Sequence, residues 1–201
     1  MKKANLIKYW NKYYSKKKIA RESTFAKFVL KKIQKKRTFR LIDIGCGDGR
    51  DSIFFNRKGF DVLGIDISNK AILKNSYYLD KKIKFKKFDI EKNKMVQKFE
   101  ILYCRFFLHA ITKVAETKLI KLIKNIKKKG TLVFFEYRNS KDDIFKKTKI
   151  IEHNKIIEFE KGHPRRIINP KMFKKKFIKL TKSKLLYEKS SKNLSVVKKD
   201  N

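Results

Sequence analysis

Leu41-Ile-Asp-Ile-Gly-Cys-Gly-Asp-Gly-Arg50, then a short helical stretch, then Gly59-Phe-Asp-Val-Leu-Gly-Ile-Asp66, is the stretch on which the fold of this chain turns. It reads as a strand, a glycine turn, a helix, a second strand and a terminal acid. Ile42 and Ile44 belong to a hydrophobic run from Phe39 that stops abruptly at Gly45. Glycines at alternate positions let the backbone turn tightly and let a ligand approach the peptide groups with no Cβ in the way. Asp66 follows Gly45 by 21 residues, and a carboxylate there can accept two hydrogen bonds from a ribose diol. The pairing points to a nucleoside cofactor.

The variant of the turn selects among such cofactors. A dinucleotide fingerprint needs glycine at the first, third and sixth positions, which here are Gly45, Gly47 and Arg50. Pyrophosphate also prefers a helix N-terminus free of negative charge. Asp48 and Asp51 flank this helix start, and Asp43 lies at the end of the strand below. Carboxylates suit a ligand with a cationic centre and an ammonium group, and S-adenosyl-L-methionine has both. Asp43 to Gly49 matches the first motif, Asp/Glu-x-Gly-x-Gly-x-Gly, at every fixed position, so the chain resembles the class I S-adenosylmethionine-dependent methyltransferases. The resemblance implies an α/β, Rossmann-like sheet, mostly parallel, with helices on both faces. It implies an enzyme that binds its cofactor through Asp43, Gly45, Cys46, Gly47, Asp66, Ile67, Asp89, Ile90 and Arg105.

The remaining elements follow in the order this fold requires. A helix is expected from Asn69 to about Tyr78, and a strand from Ile83 to Phe88 leads into Asp89-Ile90. The resemblance makes Asp89 an acceptor for the adenine amino group and Ile90 a packing surface for the ring. Read by itself, Asp89 is equally a cap for a short helical segment starting at Glu91. A fourth strand, Glu100 to Cys104, runs into Arg105-Phe-Phe-Leu-His-Ala110. Lys113 to about Lys128 has Leu119, Leu122, Ile123 and Ile126 on one helical face, with Gly130 as its stop and Thr131 to Tyr137 as the fifth strand. More closely, Trp10-Asn-Lys-Tyr-Tyr14, Gly49 to Phe55, Tyr103 to His109, Glu136-Tyr-Arg138 and His163-Pro-Arg-Arg166 resemble the tellurite-resistance and thiopurine methyltransferase-like branch.

Composition sets the outer limits. The 201 residues suit one domain: N-terminal helices over 1–37, a cofactor-binding core over 38–137, and an insertion, last helix and C-terminal strands over 138–201. No run of 18 apolar residues occurs, so no membrane span is expected. Met1-Lys-Lys leads into Trp10 and its neighbours rather than an apolar stretch, unlike a signal peptide. Two cysteines, Cys46 and Cys104, fit reduced thiols in a cytoplasm and leave no four-cysteine zinc site; no metal is expected.

The formal charge is +37, from 56 basic and 19 acidic residues. Such an excess suggests a polyanionic partner. Yet 47 of the basic residues are Lys and 9 are Arg, spread from Lys2 to Lys199, whereas base and phosphate readout favours the arginine fork. Abundant Ile, Asn and Phe accompany them, as A/T-rich codons would produce. Weak, nonspecific nucleic-acid binding is the expected consequence.

Two helices, Ala4 to Lys17 and Glu22 to Lys35, precede the first strand, the second capped by Ser23 or Thr24. The resemblance places such helices over the cofactor, making Trp10, Tyr13 and Tyr14 lid candidates; core packing of an amphipathic helix is the other reading. Ser140 to Met172 is an insertion before a last helix, Asn169 to about Lys182. Its Arg165 and Arg166, beside Pro164 and His163, form a cationic corner for a carboxylate or phosphate, or a solvated loop. Leu185 to Lys189 reads as strand six and Leu194 to Val197 as a short seventh, so strand seven is expected short or missing and the chain a truncated relative.

Methyl transfer is an in-line displacement that needs alignment and exclusion of water. A base is needed only for an acceptor still carrying its proton; His109 and His163 are the candidates, ahead of Glu136 and Tyr103. Cys104 lacks the Pro-Cys context of a cytosine-C5 enzyme, and the Asn/Asp-Pro-Pro-Tyr motif of amino-methyltransferases is absent. A small-molecule or saccharide acceptor is therefore expected, met by Trp10, Tyr14, Arg138, Arg165 and Arg166. The rivals are an RNA methyltransferase or RNA-binding protein using the basic surface, and a non-catalytic cofactor-binding relative.

Overall fold

The computed structural model describes residues 3–16, 18–33, 39–78, 80–139, 150–151, 156–159 and 163–190. Five parallel strands form the sheet: β1 (Arg40–Ile44), β2 (Asp61–Asp66), β3 (Ile83–Lys87), β4 (Phe99–Arg105) and β5 (Lys127–Glu136), in the order β3-β2-β1-β4-β5. Leu41 to Ile44 are all buried, as a central strand covered on both faces must be. Strand order reverses between β1 and β4, and a parallel sheet opens its ligand crevice at the carboxyl ends of the strands beside such a reversal. The glycine turn leaves β1 at that point.

Helices α1 (Lys3–Lys16) and α2 (Thr24–Lys32) precede the sheet, and α3 (Arg50–Arg57), α4 (Asn69–Asn75) and α5 (Lys113–Ile126) connect its strands. Alternate strand residues feed two cores. Leu41, Ile101 and Tyr103 pack with Val29 of α2 and Phe55 of α3. Ile42, Leu102 and Cys104 pack with Leu119 and Ile123 of α5 and Phe173 of α6 (Pro170–Thr181). Thr112 caps α5 by accepting the Ala115 N–H at 3.1 Å, and Asn169 caps α6 by accepting that of Met172 at 3.1 Å. Ser23 caps α2 by accepting the Ala26 N–H at 3.0 Å.

Three expectations need correction. Gly130 does not stop α5, which ends at Ile126; β5 starts at once with Lys127. Gly130, at φ +80°, sits where pairing slips from Phe99–Lys127 to Ile101–Leu132, and its left-handed backbone accommodates that irregularity. No helix follows Asp89 either; residues 90–92 form a turn.

Leu185 to Lys189 is not a strand. The segment passes β5 from Lys127, whose Nζ lies 3.5 Å from Ser183 Oγ, to Asn139, whose Nδ2 lies 3.3 Å from Ser190 Oγ. Tyr187 meets Phe28 on one side of the sheet, and Glu188 pairs with Lys174 at 2.6 Å on the other. Side chains hold it there with no ladder to β5, and Leu185 and Leu186 stay largely exposed. The proposed seventh strand, Leu194 to Val197, lies outside the described residues. The insertion holds β6 (Ile150–Ile151), β7 (Ile156–Phe159) and β8 (His163–Arg166), an antiparallel sheet the sequence reading did not foresee.

Candidate active site

Gly45, Gly47 and Gly49 all have positive φ, at 79°, 53° and 73°, which is why glycine recurs at alternate positions. A Cβ on Gly45 would stand 2.4 Å from the Phe107 ring, and one on Gly47 would stand 2.3 Å from the Tyr14 hydroxyl. The turn is tied to its neighbours. Ile65 O accepts the N–H groups of Gly45 and Cys46 at 2.8 and 3.0 Å, and Asn75 Nδ2 donates to Gly47 O at 2.8 Å. Asp66 accepts the Gly47 N–H at 3.0 Å and the Ser68 N–H at 2.8 Å.

Four buried carboxylates surround this turn: Asp43, Asp48, Asp51 and Asp66. Burial pushes Asp43 up to about 8, against the Ser52 hydroxyl that donates to it at 2.6 Å and with Asp51 and Asp66 adding to the push. Burial likewise lifts Asp66 to about 6, against its amide hydrogen bonds. Asp51 accepts Ser23 N–H, Ser23 Oγ and Tyr103 Oη at 2.7, 2.8 and 2.8 Å, locking α2, α3 and β4 together. Burial holds the thiols of Cys46 and Cys104 well above their usual range, so both stay protonated and Cys104 is no thiolate nucleophile. A cation beside these acids favours the ionisation that burial holds back, so the cluster fits a cationic, sulfonium cofactor.

Helix α1 roofs the cleft. Tyr9, Trp10, Tyr13 and Tyr14 line it, and no residue of α1 is fully buried, the placement expected of a lid. Trp10 stacks with Tyr14, ring centroids 5.7 Å apart. The lid is pinned at three points: Lys3 to Asp89 at 2.7 Å and Glu91 at 3.2 Å, Asn11 Oδ1 accepting from Ser68 Oγ at 2.9 Å, and Tyr14 over Gly47. Asp89 also accepts the Glu91 N–H at 2.9 Å, so its turn-capping role is real while its carboxylate still faces the cleft. Burial, then Asp66 and Asp48, push the Tyr14 hydroxyl well above its usual range and keep it a donor.

The far end of the cleft is cationic. Arg105 pairs with Glu136 at 2.6 Å, both side chains 12% exposed. Phe106, at φ +51°, lies between guanidiniums, Arg105 at 4.2 Å and Arg138 at 4.8 Å from its ring centre. His109, 1% exposed, accepts the Arg138 N–H on Nδ1 at 3.3 Å, and its Nε2 lies 3.3 Å from Arg165 Nη1.

Arg166 goes elsewhere. It donates to Leu108 O at 3.0 Å and to Ile111 O, and pairs with Glu116 at 2.9 Å. Burial works against the Glu116 charge, but Lys176 and Arg166 prevail and hold it below the usual range. Arg166 thus clamps β8 to the segment after β4 and is not part of the cleft lining.

The cleft measures about 560 Å³, the size of a small-molecule site. It brings together Asp43, Gly45, Cys46, Asp66, Ile67, Asp89, Ile90, Arg105, Trp10, Tyr14, His109, Arg138 and Arg165. Gly47 lies beneath Tyr14. His163 opens β8, and its side chain falls outside the described residues. Lys3, Asn11 and the strained Phe106 escaped sequence reading, because no local motif marks them. Among the described residues no cluster suited to a metal ion occurs, and no helix is long and apolar enough to cross a membrane.

The Methyltransferase domain family matches residues 10–177, and the chain belongs to it. It is an enzyme of that family, whose members take S-adenosylmethionine as methyl donor. Among solved structures it is similar to the PH0226 protein from Pyrococcus horikoshii OT3, with 19% identity and a TM-score of 0.64, over 79% of this chain and 77% of that one. It is similar to the glycopeptide N-methyltransferase MtfA, with 11% identity and a TM-score of 0.62, over 80% and 79%. A TehB-like SAM-dependent methyltransferase from Corynebacterium glutamicum follows at 15% identity and a TM-score of 0.51, over 67% and 73%. At these identities the likeness is one of fold. Among curated proteins none matches the chain.

Proposed function

We propose that this methyltransferase acts on a small molecule or saccharide, in the cytoplasm, and stands nearest the tellurite-resistance and thiopurine-like branch. The cleft carries the reading: about 560 Å³, roofed by α1, with room for a cofactor and a compact acceptor rather than a polymer. The branch assignment rests on the sequence blocks around Trp10, Gly49, Tyr103, Glu136 and His163.

When bound, S-adenosylmethionine supplies an electrophilic methyl group on a sulfonium sulfur. Asp66 would accept the ribose hydroxyls, Asp89 and Ile90 would hold the base, and Gly45 and Cys46, which line the cleft, would meet the cofactor with their backbone. Asp43 and Asp48 favour the cationic centre. Tyr14 and Trp10 close the roof and exclude water, which strengthens these electrostatic contacts. Arg138 and Arg165 face the acceptor half. His109 takes the backbone N–H of Arg138 on Nδ1 and lies with Nε2 3.3 Å from an Arg165 nitrogen, so protonating it would set an imidazolium against that guanidinium. That geometry argues against a base there.

Transfer of a labelled methyl group from S-adenosylmethionine into fractionated cell extract tests the reading. Label in a small-molecule or saccharide fraction is expected; label in RNA alone, or in no fraction, refutes it.

A further inference from the structure

S-adenosylmethionine carries its ammonium and its carboxylate on one carbon. A site that draws the ammonium with acids brings the carboxylate up to those same acids, and a cation must offset the repulsion. Asp43, Asp48 and Asp66 stand at the glycine turn, so the cation has to stand there too. Among the described residues five cationic side chains line the cleft: Lys3, Arg50, Arg105, Arg138 and Arg165.

Position and partners decide among them. Lys3 is held on Asp89 and Glu91, where the base would lie. Arg105 is paired with Glu136. Arg138 and Arg165 come from the far side, after β5 and in β8, and meet His109 there. Arg50 belongs to the turn itself, following Gly49 and opening α3. Its side chain is half-buried in the cleft and, among the described residues, makes no ion pair or hydrogen bond.

That placement is unfavourable without a ligand. A cation in the first turn of a helix opposes the helix dipole. Asp51, the next residue, gives no relief, because Ser23 and Tyr103 take its carboxylate. In a chain with 47 lysines and 9 arginines, arginine at this point supplies the planar fork that matches a carboxylate. Tyr14 covers the other side of the turn, its hydroxyl over Gly47. That hydroxyl makes no hydrogen bond among the described residues, and it stays protonated as a neutral donor.

We propose that Arg50, with the Tyr14 hydroxyl, takes the carboxylate of the cofactor, so that one turn recognises both charges of its amino-acid end. The proposal rests on the methyltransferase reading above and adds two residues to cofactor recognition.

Calorimetry with two ligands tests it: S-adenosylhomocysteine, and its decarboxylated analogue S-adenosyl-3-thiopropylamine, which keeps the base, ribose, sulfur and ammonium. Arg50→Gln should lower the ratio of their affinities, carboxylate-bearing over decarboxylated, about ten-fold. The loss should fall on S-adenosylhomocysteine, with the analogue bound as well or better. Tyr14→Phe should lower the same ratio about three-fold, and Arg50→Lys should lie between wild type and Arg50→Gln. Arg57→Gln removes the same charge from the exposed last turn of the same helix and should leave the ratio unchanged. The thermal midpoint of Arg50→Gln should not fall, since the lost cation opposed the helix dipole.

Three results overturn the proposal: an unchanged ratio in Arg50→Gln, equal weakening of both ligands, or an equal fall of the ratio in Arg57→Gln. An unchanged ratio in Tyr14→Phe removes Tyr14 from the subsite. Failure of both ligands to bind the folded wild-type protein removes the methyltransferase reading itself, and this proposal with it.

Discussion

The Asp66 carboxylate accepts the backbone N–H of Gly47 at 3.0 Å, so the acid that ends β2 also holds the glycine turn that ends β1. Cofactor recognition and local architecture therefore share one side chain. Asp66→Ala should lower S-adenosylhomocysteine affinity by about 2–4 kcal/mol, roughly 30- to 1,000-fold. It should also lower folding stability by about 1–2 kcal/mol as the turn loosens. Calorimetry and denaturant unfolding measure the two losses separately; unchanged affinity removes Asp66 from the site.

Proton linkage follows from the buried acids. Asp43 is raised from 3.8 to about 8 and Asp66 from 3.8 to about 6, so the folded protein binds protons that the unfolded chain has released. Their contribution to stability is complete below the unfolded value and is lost as pH rises through the folded values. The cofactor-free protein should therefore lose thermal stability between about pH 4 and pH 8. A cationic ligand favours the ionised acids, so cofactor affinity should rise over about pH 6 to 8 with release of protons. Titrations in buffers of different ionisation enthalpy count those protons. Asp43→Asn should flatten the upper part of both profiles.

How much of this was legible beforehand depends on range. The glycine turn, its acids and the crossover helices could be read because each is set by neighbours within a few residues. Asp43, Asp66 and Asp89 fell into place with their strands. Lys3 pairs with Asp89 from 86 residues away in sequence, and Phe106, at φ +51°, donates its N–H to Glu136 O on β5 and meets the Arg138 guanidinium. No local pattern encodes either. Gly130 looked like a helix stop because its conformational freedom serves helix ends and strand irregularities equally. Arg165 and Arg166 looked like one corner, but successive residues of β8 point to opposite sides, one to the cleft and one to Glu116.

That last separation can be measured. Arg166→Ala leaves Glu116 with Lys176 alone and removes the donor from Leu108 O and Ile111 O. A stability loss of about 2–4 kcal/mol is expected, with S-adenosylhomocysteine affinity little changed where the variant remains folded. Arg165→Ala should show the reverse emphasis, with a small stability change and impaired acceptor binding. Chemical denaturation of both variants decides it. Equal stability losses would make the two arginines one structural unit.

The lid should respond to Lys3. Its ion pairs with Asp89 and Glu91 are partly exposed, with the Lys3 side chain at 29%, so they contribute modestly, about 0–1 kcal/mol. Lys3→Ala should leave global stability nearly unchanged but loosen α1, raising acrylamide quenching of Trp10. Dissociation of S-adenosylhomocysteine, followed by stopped-flow fluorescence, should become several-fold faster. An unchanged dissociation rate would mean that the lid is held by Asn11 and the aromatic row alone.

The +37 charge calls for its own test. A nucleic-acid enzyme concentrates positive potential at the mouth of its site and reads bases or backbone shape there. Here exposed lysines occur on α1 (Lys8, Lys12), α2 (Lys27, Lys31), the edge strand β3 (Lys84, Lys86), α5 (Lys118, Lys121) and α6 (Lys171). Among the described residues only Lys3 of all the lysines lines the cleft. Among the aromatics of the cleft Tyr13 alone is exposed, at 40%, and the rest are buried or half-buried, which makes no outer platform for stacked bases. Binding to RNA should therefore be weak and indifferent to sequence, and should fall linearly in log affinity against log salt until nearly absent at physiological ionic strength. Removing one lysine should change the slope by about one counterion's share, whichever face it comes from. Filter-binding titrations at several salt concentrations measure this directly. Submicromolar affinity in physiological salt for one RNA over a scrambled control would mean that the acceptor is a nucleic acid and not a small molecule.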